Sequence, residues 1–75
     1  MTNDQLRKAL RELNAERDLD VVFAGVFPHD LGRESMLHVK RAMLIPDEED
    51  HLVKVTDGKH IYILDAERVA WLRIG

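Results

Sequence analysis

Seventy-five residues suffice for one small domain with a limited core. The chain has no cysteine, so neither a disulfide framework nor a thiolate metal site can reinforce it. Its formal charge of -3 arises wholly in residues 46–75, with four basic and seven acidic side chains, and offers no general attraction to phosphate.

Residues 3–16 read as a helix. Leu6, Leu10 and Leu13, with Ala9, form one apolar stripe at helical spacing. Thr2 and Gln5 fit a capping box, and Asp4 suits the positive end of the helix dipole. Asp18-Leu19-Asp20 reads as the exit into a first strand, 21–27 (VVFAGVF). That strand is apolar throughout, as in strands covered on both faces. Gly25 within it suggests a bend or bulge. Pro28 ends it, and PHDLGRES is a loop. Residues 36–45 (MLHVKRAMLI) predict one longer strand, with Leu37, Val39, Met43 and Ile45 on one face, interrupted by Arg41. A helix competes there on propensity; the neighbouring strands and Pro46 favour the strand. Pro46 to Asp50 is an acidic, hydrated turn.

Strands at 51–56 and 60–64 form a hairpin. Asp57-Gly58 suits a position needing positive φ. A one-residue slip flips every side chain, so the buried face should select the turn. A three-residue loop, Thr56-Asp57-Gly58, gathers Val53, Val55, Ile61 and Ile63 on one face. The opposite face then carries Leu52, Tyr62 and Leu64. A corner at Asp65 to Arg68 leads to a last strand, 69–74 (VAWLRI). If Ala70, Leu72 and Ile74 fill the core, Trp71 stands outside beside Arg73, a pairing common at interface hot spots. The alternative is that Trp71 fills a second core face.

The expected fold is α+β and mostly β: an N-terminal helix followed by a strongly bent five-stranded antiparallel sheet or small barrel, in one domain spanning 1–75. This order resembles the Sm-like family of small barrels. Ile61 to Ile74, IYILDAERVAWLRI, looks like that family's last two strands and their corner. The family's basic residue and glycine at that corner are replaced by Leu64-Asp65, and its base-contacting motif has no counterpart in residues 21–45. The resemblance implies assembly through strand edges. It does not carry over RNA-binding residues.

No constellation points to catalysis. His29, His38, His51 and His60 lack converging metal-ligand spacing. His29-Asp30 reads as a solvated loop. His38 and His60, which could meet across the sheet, read as strand-surface histidines. Ser35 has no nucleophile elbow, and the glycines form no phosphate loop. No cofactor or metal is expected. For nucleic acid the candidates are Arg7, Lys8, Arg11, Lys40 and Arg41, with Tyr62 opposite Lys54 as a stacking platform. Hydrophobic residues make up 45% of the chain, which fits either a well-filled core or a partner surface. No 18-residue apolar run and no signal-peptide core occur, so the cytoplasm is the default expectation. The sequence thus predicts a non-catalytic, homo-oligomeric interaction protein with Leu52, Tyr62, Leu64, Trp71 and Arg73 at its interface. An Sm-like binder of RNA or single-stranded nucleic acid is the alternative.

Overall fold

The structure, a computed structural model, describes residues 1–24 and 36–75. Gly25, Pro28, the pair His29-Asp30 and Ser35 lie outside the described residues. The elements are α1 (Asn3–Leu10), β1 (Leu19–Phe23), β2 (Met36–Val39), β3 (Met43–Leu44), β4 (Val53–Thr56), β5 (Ile61–Leu64), a 3₁₀ turn (Ala66–Arg68) and β6 (Val69–Ile74). The described strands form two antiparallel three-stranded sheets, ordered β2-β1-β6 and β3-β4-β5. The α+β, mostly-strand class is as expected. Among the described residues there are six strands rather than the expected five, and they do not close into a barrel.

The helix begins as its sequence dictates. The Thr2 hydroxyl accepts from the Gln5 N–H, and the Gln5 side chain accepts from the Thr2 N–H. The helix ends at Leu10 rather than at residue 16. Beyond it the backbone tightens: Glu12 N–H bonds Ala9 O, and Leu13 N–H bonds Leu10 O. The Asn14 side chain then accepts from the Glu16 N–H, offering the backbone an alternative to another helical turn. Ala15 adopts φ 67 and donates its N–H to Ala42 O instead. Leu6, Leu10 and Leu13 are buried nonetheless, so the stripe does what its spacing demands.

The expected strand 36–45 is broken in two. Arg41 sits at φ 48, its N–H bonds an Asp18 carboxylate oxygen, and Ala42 N–H bonds Arg17 O. The backbone groups that would have continued one ladder are satisfied by the segment after the helix. The break carries the chain from one sheet to the other. It also buries Ala42 and leaves Met43 exposed, against the expected face.

The hairpin register differs as well. Val53 faces Leu64, Val55 faces Tyr62, and Thr56 faces Ile61. The connecting loop is Asp57, Gly58, Lys59 and His60, an even count instead of three. Hence Val53 and Val55 share the inner face with Tyr62 and Leu64, and Ile61 and Ile63 point outward with Lys54 and Thr56. The loop's own hydrogen bonds explain its length. The Asp57 carboxylate accepts from Lys59 N–H at 2.8 Å and His60 N–H at 2.7 Å. The Thr56 hydroxyl accepts from Gly58 N–H and donates to His60 O. Gly58 does take a positive φ, 94.

β1 starts at Leu19, two residues early, because Leu19 pairs with both Val39 and Ile74. A bulge between Val22 and Phe23 sets Phe23 against Val69. It brings Val69 to the core side, while Leu72 and Ile74 pack there as expected and Ala70 is exposed. The core joins Leu6, Leu10 and Leu13 to Leu19, Val21, Val39, Val53, Val55 and Leu64. The helix packs on β3, β4 and the 3₁₀ turn.

Candidate interaction surface

Outward-facing residues of β5 define the most apolar exposed strand. Ile61 is 64% and Ile63 60% exposed. Among the described residues β5 pairs with β4 alone, and its other edge has no strand partner among them. Native edge strands are usually blunted by charge, proline or a bulge. The sequence of β5, IYIL, contains neither charge nor proline.

At the end of β5 lies an open hollow of about 420 Å³. Asn3, Leu52, Val53, Ile63, Leu64, Asp65, Ala66 and Glu67 line it. Val53, Leu64 and Ala66 are core residues and form its apolar base. Leu52 and Ile63 are exposed at its sides, and Asp65 and Glu67 supply two carboxylates. The Asp65 carboxylate also caps the 3₁₀ turn, accepting from Glu67 N–H at 3.1 Å.

The other sheet presents two rows on its outer face. Met36, Val22 and Trp71 are register neighbours across its three strands, as are His38, Asp20 and Arg73. Trp71 is 52% exposed, so it stands outside the core. Asp20 is buried at the centre of the second row. His38 Nδ1 lies 2.6 Å from Asp20 Oδ1, and Arg73 Nη2 donates to Oδ2 at 2.8 Å. A carboxylate only accepts, so Nδ1 carries the proton in this bond. The His38 hydrogen bond, followed by that of Arg73, holds the Asp20 carboxyl below its ordinary pKa, outweighing desolvation. His38 Nε2 faces a second carboxylate, Asp18, at 3.6 Å. This cluster explains how an aspartate occupies the middle of a strand. The hint in the sequence was the setting of Asp20 between Leu19 and Val21 at strand alternation.

The five expected interface residues therefore separate. Leu52, Trp71 and Arg73 are exposed, Tyr62 is half-buried on the inner face, and Leu64 is core at 4% exposure. Leu64 sits in the core with Val53 as its register partner, and it also lines the hollow at the end of β5. Ile61 and Ile63, expected in the core, take its place outside.

The basic candidates are also dispersed. The Arg7 side chain is only 11% exposed and its Nη2 donates to His51 O and Leu52 O, with Asp47 at 3.2 Å. Arg7 thus straps the helix to the acidic turn instead of offering a free cation. Lys8 is exposed on α1, Arg11 at its C-cap, and Lys40 and Arg41 on the turn between β2 and β3. Tyr62 faces Val55, not Lys54. Lys54 Nζ donates to Glu48 and Asp50, each at 2.7 Å. These carboxylates raise the Lys54 pKa, and Lys54 in turn lowers that of Asp50. The acidic turn is a set of ion pairs rather than a merely hydrated loop. The spacing of Asp50 and Lys54, four residues apart, was its only signal.

His38 lies on β2 and His60 in the loop between β4 and β5, and they do not meet. His51 Nδ1 lies 3.3 Å from Asp47, and His60 Nδ1 lies 3.5 Å from Asp57. No cluster of three potential metal ligands occurs among the described residues. No described helix is long and apolar enough to cross a membrane. The chain matches no protein-family model, no curated protein and no solved structure.

Proposed function

We propose that this chain is a non-catalytic interaction protein that self-associates through its strand edges and exposed apolar sheet surface. The observation that carries the reading is β5, which among the described residues is an edge strand without charge or proline and turns Ile61 and Ile63 outward. Such a strand is a template for pairing with another chain. Trp71 beside Arg73 on β6 adds a second exposed patch with hot-spot chemistry. The Sm-like resemblance supports the same reading through element order, one helix and then strands whose last two are joined by a short corner. Nucleic-acid binding has less support, because Arg7 is engaged within the fold and Tyr62 faces inward.

Size-exclusion chromatography with light scattering tests the proposal. Oligomers that dissociate on dilution are expected. A clean monomer at high micromolar concentration refutes it. Titration with labelled RNA and single-stranded DNA at two salt concentrations is the companion measurement. Binding that weakens steeply with salt favours the nucleic-acid reading instead.

A further inference from the structure

We propose that the hollow beside β5 is a socket for Trp71 of a second copy of this chain. The inference rests on the self-association reading and assigns it an anchor.

The two surfaces match in size and charge. The hollow holds about 420 Å³, near the lower end of volumes that accept small ligands. That is room for one large side chain, not for a helix. Its lining joins the core residues Val53, Leu64 and Ala66 to two carboxylates, Glu67 and Asp65, of which Asp65 pairs with Arg68 Nε at 3.5 Å. A fitting occupant is therefore a large apolar group flanked by a cation. Among the described residues, Trp71 is the one large exposed hydrophobic that is aromatic. Arg73 lies two residues beyond it on the same outer face, with 68% of its side chain exposed. Its bonds to Asp20 come from Nε and Nη2, so Nη1 is not used there. An acidic segment would bring its charge against Asp65 and Glu67, which charge complementarity disfavours.

The hollow and Trp71 belong to different sheets. One copy can therefore offer its tryptophan while its own hollow receives another's. Contact between two unlike patches is heterologous. Each patch can then be removed alone, and the two damaged proteins should complement each other.

Trp71→Ala keeps the hollow, and Ile63→Asp keeps the tryptophan. Each variant alone should associate at least about 30-fold more weakly than the wild type, as for a hot-spot side chain. Circular dichroism should show both folded. Mixed at high micromolar concentration, they should form a one-to-one heterodimer. Trp71 is the single tryptophan of the chain, so emission from the mixture reports only the Ile63→Asp protein. That emission should move to the blue as Trp71→Ala protein is added. Unchanged emission overturns the socket, as does wild-type association of Trp71→Ala alone. If Ile63→Asp fails to fold, Glu67→Lys at the rim replaces it. This variant should associate more weakly than the wild type, and undiminished association counts against the socket. A monomeric wild type defeats the self-association reading as well. An oligomeric wild type without complementation defeats the socket alone.

Discussion

Truncating adjacent residues of β5 measures which of its faces is the core. Leu64 is 4% exposed and Ile63 60%. Removing a buried leucine side chain to alanine costs about 2–5 kcal/mol, including the cavity left behind. For Ile63 only about two-fifths of a full burial of about 1.5–3 kcal/mol is at stake, so Ile63→Ala should cost about 1 kcal/mol or less. At about 0.05–0.15 kcal/mol per residue, a domain of this length has roughly 4–11 kcal/mol in hand. Leu64→Ala thus consumes a large share of it. At about 4–8 °C per kcal/mol, a cost of about 3 kcal/mol lowers the melting temperature by about 12–24 °C. Urea unfolding at several protein concentrations, taken to the dilute limit, separates fold stability from association. The expected order is Leu64→Ala far below Ile63→Ala, with the slope in urea unchanged. A cost for Ile63→Ala equal to or above that for Leu64→Ala refutes the register. The hairpin would then carry its isoleucines inward, as the three-residue turn requires.

Three further outcomes follow from local geometry. Thr2→Ala removes the hydroxyl that accepts from Gln5 N–H and should cost about 1 kcal/mol by the same urea assay. Gly58 has φ 94 and open space where a Cβ would lie. Gly58→Ala should therefore cost about 1–2 kcal/mol from backbone strain alone, and no loss of stability would argue against the turn conformation. Asp57 is held at about 2, below its ordinary 3.8, first by His60 N–H and then by Lys59 N–H. Its folded pKa lies below its unfolded one, so its contribution is complete above the ordinary value and lost as pH falls toward 2. Asp57→Asn should flatten the decline of the urea midpoint across that window, leaving the share from Asp20 and Asp50, which are lowered too. An acid decline identical to wild type would refute this.

What the sequence alone determined is local. Leu6 and Leu10 bury one face of the helix, as their spacing demands, and Leu13 joins them in the core from beyond its end. The capping box forms because both of its partners lie within one turn. Asp65 at the corner and Gly58 in the turn act through bonds and dihedrals of their immediate neighbours. The alternation of β6 set Trp71 and Arg73 against Leu72 and Ile74 but left open whether Trp71 fills a second core face; the fold places it outside.

What only the tertiary structure decided depends on partners distant in sequence. The face of β5 was ambiguous because Ile61, Ile63, Tyr62 and Leu64 are all apolar enough for a core. Hydrogen bonds of the Asp57 carboxylate lengthen the turn and select Leu64. The break at Arg41 follows from residues 15–18: the Asp18 carboxylate accepts from Arg41 N–H, and the backbone of Ala15 and Arg17 satisfies Ala42 across the fold. Asp20 becomes tolerable inside a strand only when His38 and Arg73 arrive from either side. Periodicity identifies which residues can be buried. Pairing register and the completion of polar groups decide which of them are.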